Sequence, residues 1–379
     1  MHNHSTDELF LRRTLDLARL GTGLASPNPC VGAVIVDTKG TVVGEGTHLY
    51  DSLKHAETLA LEQAGEKARG ATLYVNLEPC SRQGRTGSCA DAVIAAGISK
   101  VVACMQDPNP QVNGNGFARL RSAGIEVSTG GLEAEAKIIN ETFAKYVRHK
   151  IPLITLKAAM TLDGKIAPPH FKSRRPHVEW ITGEVARAHV QELRHQSDAI
   201  LVGVGTVITD DPLLTDRSGR PRRRPLLRVV LDSRLRLPLD CQLVRTAQDD
   251  VLVLCSFAEE KKKKQLLKLG IHVEQLPRAT ADGHPDLSAV ASFLGEMEIT
   301  SLMIEGGAMV NGAALASGIV DKIFFYYAPK ILGGTDSISF AAGPGFARIK
   351  DAPCIKTLRV HRLAEDFAVE GYLKDPYAD

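Results

Sequence analysis

Apolar and polar residues alternate along this 379-residue chain in a way that is typical of strands and helices that follow one another. Short apolar, β-prone runs predict buried strands at residues 32–37, 71–77, 100–104, 125–128, 153–158, 199–204, 226–231, 251–255, 301–304 and 322–328. Apolar residues that return at i, i+3, i+4 and i+7 predict helices at residues 8–20, 117–124, 133–148, 182–196, 259–269 and 287–296. This alternation predicts an α/β fold.

The pattern starts again after a predicted closing helix. Ile151 and Pro152 follow that helix, and a new apolar strand comes directly after them. A chain of this length is long for one domain, so two domains are the natural expectation. We therefore expect one domain over residues 1–149 and a second over residues 150–379.

A candidate metal site lies in the first block. His55 and Cys89 each stand at the start of a helical pattern, and Cys80 follows a predicted strand. One imidazole and two thiols form the ligand set of a catalytic zinc site, in which the fourth position stays open for water. Zinc lowers the pKa of such a water towards neutrality, so the pattern predicts a hydrolytic metal centre.

Glu57 lies two residues after His55, where it can move protons without binding the metal. Zinc deaminases use this combination, with the glutamate as general acid and base. The cysteine spacing departs from their usual Pro-Cys-x2-Cys, because eight residues separate the two cysteines here. A capping histidine beside two core cysteines is the structural alternative, and His48 and Cys104 remain open as further ligands.

Composition narrows the class of protein. Hydrophobic residues make up 44% of the chain, which is ample for packed cores, and a net charge of +2 gives no sign of nucleic-acid binding. Seven cysteines without a framework spacing indicate reduced thiols and a cytoplasmic protein. We expect no secretory signal and no membrane span, and we interpret the basic runs at 220–225 and 261–264 as solvated surface.

Two glycine-rich stretches in the second block each follow a predicted strand. They are GVGT at residues 203–206 and EGGAMVNG at residues 305–312. Glycines at such a position let backbone amides approach a phosphate at a helix N-terminus. Neither stretch is a GxGxxG fingerprint, and a tight turn without a ligand is the alternative for each. Together they favour a nucleotide cofactor without identifying it.

Further motifs extend over nearly the whole chain. They are SPNPCVGAV at 26–34, HAE at 55–57, LEPC at 77–80, GRT at 84–86, QDPNP at 106–110, LDGK at 162–165, WIT at 180–182, DDP at 210–212 and IEGG at 304–307. In combination they resemble the bifunctional deaminase–reductase family of riboflavin biosynthesis. The Pro-Cys-x8-Cys spacing is also that of this family.

The resemblance implies an N-terminal cytidine-deaminase-like α/β/α sandwich and a C-terminal dihydrofolate-reductase-like α/β domain. It implies zinc-dependent hydrolytic deamination of 2,5-diamino-6-ribosylamino-4(3H)-pyrimidinone 5′-phosphate. NADPH-dependent reduction of the ribosyl side chain then gives 5-amino-6-ribitylamino-uracil 5′-phosphate. We accordingly expect one zinc ion per chain, NADPH, a small phosphorylated pyrimidine substrate, no nucleic-acid or membrane partner, and a cytoplasmic homo-oligomer.

The resemblance also implies roles for individual residues. Zinc is assigned to His55, Cys80 and Cys89, and proton transfer to Glu57. NADPH contacts are assigned to Ala159, Trp180, Thr206, Asp210, Ser233, Gly307, Ala308, Met309, Val310, Asn311, Gly312 and Ala313. Substrate contacts are assigned to Asn28, Arg194, Leu214, Arg217 and Glu305. Of these, Arg194 and Arg217 suit a substrate phosphate, because a guanidinium can pair with it through two hydrogen bonds.

One segment departs from the family pattern. Residues 166–179 are longer and more basic than the usual Ser/Gly-rich loop, and Val178 stands where a substrate-contacting serine is common. Ser173, Arg174 and Arg175 are the alternatives for a relocated contact.

Two other functions compete with this interpretation. One is a zinc deaminase acting on nucleobases in nucleic acid, with the second half as a binding module. The other is a non-catalytic scaffold stabilised by zinc. The near-neutral charge and the long reductase-like half argue against the first.

Overall fold

The computed structural model describes residues 3–82, 87–169, 179–278 and 283–378. The chain divides into two units. Unit 1 runs from the N-terminus to His149 and includes Pro221–Arg224, and unit 2 comprises Lys150–Arg220 and Pro225–Ala378. No described helix is both long enough and apolar enough to cross a membrane.

Unit 1 contains a mixed sheet and its covering helices. The strands are β1 (Gly32–Val36), β2 (Val42–Thr47), β3 (Thr72–Leu77), β4 (Lys100–Met105) and β5 (Glu126–Thr129). The helices are α1 (Asn3–Arg19), α2 (Ala56–Ala64), α3 (Cys89–Ala95), α4 (Asn115–Ser122), α5 (Glu133–Ile139) and α6 (Glu141–His149). The described strands form a sheet of order β2-β1-β3-β4-β5, in which β1 is antiparallel to both neighbours and β3, β4 and β5 are parallel.

Glycines let helices approach both faces of this sheet. A Cβ on Gly32 would lie 2.2 Å from the carbonyl oxygen of Thr14 on α1, and a Cβ on Gly46 would lie 2.1 Å from that of Ala56 on α2. Gly32 pairs with Thr47, the residue after Gly46, so the two glycines face opposite sides of the sheet. Helix α1 covers one face and α2 the other, which confirms the expected α/β/α sandwich.

The single helix predicted over residues 133–148 is wrong, because α5 ends before Asn140 and α6 begins after it. The side chain of Asn140 accepts a hydrogen bond from the Cys30 backbone N–H at 2.9 Å and donates one to the Cys30 carbonyl oxygen at 3.1 Å. The residue between the two helices is therefore hydrogen-bonded to the segment that leads into β1. Strand β2 was not predicted, because its sequence VVGEGT lacks a regular apolar alternation.

Unit 2 is built on a larger sheet. Its strands are β6 (Leu153–Thr161), β7 (Lys165–Ala167), β8 (Ala199–Gly203), β9 (Leu227–Leu231), β10 (Val251–Cys255), β11 (Ile271–Gln275), β12 (Ser301–Ile304), β13 (Lys322–Ala328), β14 (Ile338–Ser339), β15 (Lys356–Leu363) and β16 (Asp366–Tyr372). Its helices are α7 (Glu184–Gln196), α8 (Val204–Asp210), α9 (Gln242–Arg245), α10 (Glu260–Lys268), α11 (Leu287–Glu296) and α12 (Ala308–Ser317).

The described strands of the large sheet have the order β11-β10-β9-β8-β12-β6-β13-β16-β15. All neighbours from β11 to β13 are parallel, and β16 and β15 add an antiparallel edge. Along β8, Leu201 packs in the core on one face, whereas Ile200 and Val202 pack in the core on the other. Both faces are therefore covered, as is usual for a parallel sheet.

Two features of unit 2 differ from the predictions. The strand predicted over residues 199–204 ends one residue earlier, because α8 begins at Val204 directly after β8. The β15–β16 hairpin and strand β11 were not predicted, since charged and polar residues interrupt their apolar positions.

Candidate active sites

The elements of unit 1 bring three metal-binding side chains together. His55 is the N-cap residue of α2, Cys80 follows the end of β3, and Cys89 is the first residue of α3. The carbonyl oxygen of Cys80 accepts hydrogen bonds from the Ala90 backbone N–H at 3.0 Å and from the Ser88 hydroxyl at 3.1 Å. These bonds join the start of α3 to the end of β3 and so fix the two cysteines beside each other.

The distances fit a zinc ion. Among the described residues, His55, Cys80 and Cys89 form one cluster whose ligand atoms all lie within 4.8 Å of one another. His55 Nδ1 is 3.0 Å from Cys89 Sγ and 3.6 Å from Cys80 Sγ. Tetrahedral zinc with nitrogen and sulfur ligands separates those atoms by about 3.5 Å. One nitrogen and two sulfur atoms make a suitable donor set, which leaves a fourth position open.

The three side chains also influence one another electrostatically. A hydrogen bond from the Cys89 thiol, together with one from His55, lowers the pKa of Cys80. The same pairing with Cys80 raises the pKa of Cys89. A hydrogen bond to Cys80 raises the pKa of His55. The site thus already favours a thiolate at Cys80, which is the form that binds a metal.

Glu57 lies in the first turn of α2 and is 3% exposed. Burial raises its pKa to about 7, although the neighbouring His55 acts in the opposite direction. A carboxyl group with a pKa near the working pH can both accept and return a proton. The geometry therefore supports Glu57 as the proton carrier of this site.

His48 and Cys104, which the sequence left open as ligands, do not belong to the described metal cluster. His48 Nδ1 lies 2.9 Å from the carbonyl oxygen of Lys54 and must donate to it, so its Nε2 accepts a hydrogen bond from Asn28 Nδ2 at 3.1 Å. The His48 and His55 rings meet edge to face, with centroids 5.2 Å apart. Asn28 is thereby held close to the candidate ligand His55.

Unit 2 contains a cavity of about 800 Å³ beside the carboxyl ends of its parallel strands. Many residues assigned to cofactor or substrate line it. They are Ala159, Trp180, Arg194, Thr206, Asp210, Leu214, Arg217, Glu305, Gly307 and Asn311. Ligand sites of parallel α/β sheets are typically found at this edge, and the volume suits a dinucleotide together with a small substrate.

The remaining residues assigned to the cofactor lie outside the lining of this cavity. They are Ser233, Ala308, Met309, Val310, Gly312 and Ala313. The Ser233 hydroxyl lies 2.8 Å from His284 Nδ1. A Cβ on Gly312 would lie 1.7 Å from the carbonyl oxygen of Ala342, so this glycine serves close packing of α12. Residues 83–86 and 170–178, which include the GRT motif, Ser173, Arg174, Arg175 and Val178, lie outside the described residues.

A buried charge network forms part of the cavity wall. Arg194 donates to both carboxylate oxygens of Glu305, at 2.9 and 3.0 Å, and Lys157 Nζ lies 3.5 Å from Glu305. Burial alone would raise the pKa of Glu305, but Lys157 and Arg194 lower it to about 2. Arg194 is thus paired with Glu305 in this structure. Its assignment to the substrate phosphate remains a prediction.

Sequence reasoning missed two lysines of this cavity. Lys157 lies on β6 within a run that was interpreted only as a strand, and Lys330 follows β13. Lys330 Nζ donates to the carbonyl oxygens of Trp180 at 3.1 Å and Ile181 at 2.8 Å. The sequence did contain a signal for Lys157, because a lysine within an otherwise apolar, buried strand is unusual and indicates a functional or paired charge.

Two family models match the two halves of the chain. Residues 4–105 match the family model of the cytidine and deoxycytidylate deaminase zinc-binding region. Residues 152–369 match the model of the RibD C-terminal domain.

Full-length relatives cover both halves. Riboflavin biosynthesis protein RibD of Actinobacillus pleuropneumoniae is 42% identical to this chain, over 98% of this chain and 96% of its own length. Riboflavin biosynthesis protein RibD of Escherichia coli K12 is 40% identical, over 95% of this chain and 97% of its own length. A solved structure of Acinetobacter baumannii RibD has a TM-score of 0.84 at 34% identity, covering 97% of this chain and 99% of that one. A Thermotoga maritima structure, described as a diaminohydroxyphosphoribosylaminopyrimidine deaminase/5-amino-6-(5-phosphoribosylamino)uracil reductase, has a TM-score of 0.83 at 36% identity, covering 98% and 99%.

The fold and the two sites define a bifunctional enzyme that joins a zinc-dependent deaminase to an NADPH-dependent reductase. The chain belongs to the RibD family of riboflavin biosynthesis proteins. The competing interpretations, a nucleic-acid deaminase with a binding module and a zinc scaffold, are not supported, because the second half matches a reductase domain.

Proposed function

We propose that the enzyme acts on 2,5-diamino-6-ribosylamino-4(3H)-pyrimidinone 5′-phosphate in two steps. The first step is hydrolytic deamination, and the second reduces the ribosyl side chain to a ribityl chain. The observation that carries the first step is the buried Glu57 beside the three-ligand cluster of His55, Cys80 and Cys89. The description of the Thermotoga maritima relative supports the choice of substrate.

In the deaminase, His55, Cys80 and Cys89 would hold a zinc ion, which supplies the Lewis acid that activates water for hydrolysis. Glu57 would accept the proton of the attacking water and return it to the departing amine. Asn28 would bind the pyrimidine, since its bond to His48 fixes it close to the metal ligands.

In the reductase, bound NADPH would supply the hydride for the ribosyl carbon. Trp180, Thr206, Asp210 and the start of α12 would orient the cofactor. Asn311 supports this role, because it lines the cavity and its Oδ1 is buried without a hydrogen-bond partner, so it can accept one from a ligand. Burial raises the pKa of Asp210, which places a less readily ionised carboxyl group on the cavity wall.

The substrate would bind in the same cavity against Leu214, Arg217 and Glu305. Arg217 would pair with the 5′-phosphate, since it lies on the cavity wall. Arg194 can join it only if its bonds to Glu305 rearrange on binding. Lys157 would contribute a second positive charge beside Glu305.

The proposal assigns residues 1–149 to the zinc-dependent deaminase domain and residues 150–379 to the NADPH-dependent reductase domain. The two matched family models and the two units of the fold support these limits.

We further propose a cytoplasmic homo-oligomer without nucleic-acid partners. The edge strand β15 supports self-association, because its described pairing is with β16 alone and its Leu358 and Val360 are 56% and 59% exposed. Sedimentation velocity checks the oligomer, and a single monomeric species across micromolar concentrations would contradict it.

The experiment that tests the function supplies the proposed substrate to the holoenzyme. Ammonia release should require zinc and proceed without NADPH, whereas NADPH oxidation should require the deaminated product. Ammonia release from single-stranded DNA or RNA, but not from the pyrimidine phosphate, would refute the proposal.

A further inference from the structure

Glu78 is a buried carboxylate of the deaminase that has no role in the chemistry described above. It directly follows β3, lies two residues before Cys80, and is 3% exposed. Its Oε2 accepts hydrogen bonds from the backbone N–H groups of Asp107 at 3.0 Å and Gly114 at 2.9 Å. Its Oε1 accepts from those of Gly116 at 2.8 Å and Phe117 at 3.2 Å. Four backbone donors therefore converge on one side chain.

All four donors belong to one segment, residues 107–117, which comprises most of the connection from β4 together with the first turn of α4. We call it the β4–α4 segment. Gly114 is the N-cap of α4 and supplies no side-chain cap, and Gly116 and Phe117 carry N–H groups of the first turn. Such groups have no partner within their own helix. A carboxylate at a helix N-terminus satisfies them and also matches the helix dipole, so Glu78 caps α4 from another element.

The backbone approach at this point is very close. A Cβ on Gly116 would lie 1.9 Å from the carbonyl oxygen of Pro79 and 3.1 Å from Glu78 Oε1. Only glycine fits there without a shift of the chain. The β4–α4 segment therefore packs directly against the stretch that leads to Cys80.

The same segment lies beside the zinc site. Strands β3 and β4 are parallel neighbours, so their carboxyl ends meet at one edge of the sheet. Asp107, which begins the segment, is 7% exposed. Its backbone N–H donates to Glu78, which stands two residues before Cys80, so the start of the segment lies close to the stretch that carries this candidate ligand.

We propose that Glu78 is a positioning residue of the deaminase, which fixes the β4–α4 segment as a wall of the substrate pocket beside Cys80. It acts on substrate binding, neither binding the metal nor transferring protons. This inference rests on the proposed deamination, since the wall has a function only if the pyrimidine binds at this site.

The test is Glu78→Gln in the zinc-loaded full chain. Glutamine keeps the size of the side chain but turns an NH2 group towards two backbone N–H donors, so the segment must move. The expected result is an unchanged zinc content, a deaminase KM raised about tenfold or more, a kcat changed far less, and unchanged reductase kinetics. A protein in which Glu78 serves folding alone would keep the normal KM once folded and loaded.

A second variant loosens the same segment without altering Glu78. Asn113 is exposed, and its Nδ2 donates to the Asp107 carbonyl oxygen at 2.9 Å. Asn113→Ala should raise the deaminase KM in the same direction by a smaller factor. The matched control is Asp91→Asn, which removes the exposed ion pair between α3 and Arg119 of α4 and should leave KM unchanged.

Several results would overturn the inference. They are a normal KM in Glu78→Gln, loss of zinc in that variant, and a fall in kcat alone. If Glu78→Gln does not fold, a normal KM in Asn113→Ala overturns it. If the wild-type enzyme does not deaminate the pyrimidine, the proposed function fails first. Hydrogen exchange then decides whether Glu78 holds the segment, because the amides of 107, 114, 116 and 117 should exchange faster in Glu78→Gln.

Discussion

Replacement of Glu305 by glutamine tests the buried charge network of the reductase cavity. The wild-type side chain is 12% exposed and accepts hydrogen bonds from Nε and Nη2 of Arg194, and the ammonium of Lys157 lies 3.5 Å away. Glu305→Gln leaves two buried cations facing a neutral amide, and losing one partner of a buried ionic network is strongly destabilising.

The size of the effect follows from the pKa of Glu305, which falls from an ordinary 4.5 to about 2 in the folded protein. At about 1.4 kcal/mol per pKa unit, the ionised carboxylate contributes about 3 kcal/mol to the free energy of unfolding. Because the folded-state pKa is depressed, this contribution is complete above pH 4.5 and is lost as the pH falls towards 2. The wild type should therefore exceed the variant by about 3 kcal/mol at pH 7, and by progressively less below pH 4.5.

Fluorescence of Trp180, the single tryptophan of the chain, reports the unfolding of unit 2 in urea. The control is Glu184→Gln, whose carboxylate is 94% exposed and lies 3.8 Å from Arg187, and which should change stability by less than about 0.5 kcal/mol. A difference below about 1 kcal/mol for Glu305→Gln at pH 7, or one that stays constant in acid, would refute the reasoning.

Three further outcomes are expected. Glu57→Gln should retain zinc but lose deamination by about 100-fold or more, as judged by metal content and ammonia release, and a loss of zinc would make Glu57 a ligand. Gly46→Ala should displace α2 and with it His55, because the added Cβ would lie 2.1 Å from the Ala56 carbonyl oxygen. The affinity for zinc should therefore fall, and an unchanged affinity would contradict the packing argument. Arg217→Ala should raise the reductase KM for substrate about 10- to 150-fold while the Kd for NADPH stays constant, and equal losses of both would indicate general damage to the fold.

Much of the architecture was predictable because buried strands are short and uniformly apolar. The predicted strands at 251–255, 301–304 and 322–328 agree with the observed bounds. The misses have physical causes that lie outside local periodicity. The break at Asn140 depends on hydrogen bonds to Cys30, 110 residues away in sequence, and no local pattern reveals them.

The two candidate sites differ in how far the sequence could describe them. The three candidate zinc ligands could be proposed from the sequence because soft donors at strand and helix ends imply one chemistry, and the structure places their ligand atoms within 4.8 Å of one another. The reductase cavity was less accessible to such reasoning. Arg194, Lys157 and Glu305 are remote in sequence, and their mutual pairing follows only from the parallel order of β6 and β12 beside α7.

The most direct test of the central claim is the product distribution of the zinc-loaded full chain, measured by mass spectrometry with the diaminopyrimidine phosphate as substrate. Without NADPH, the account predicts that only the product in which an amino group is replaced by oxygen accumulates. With NADPH, that product should be converted to one that carries two additional hydrogens. Reduction of the substrate before loss of its amino group, or no deamination in the presence of zinc, would contradict the account.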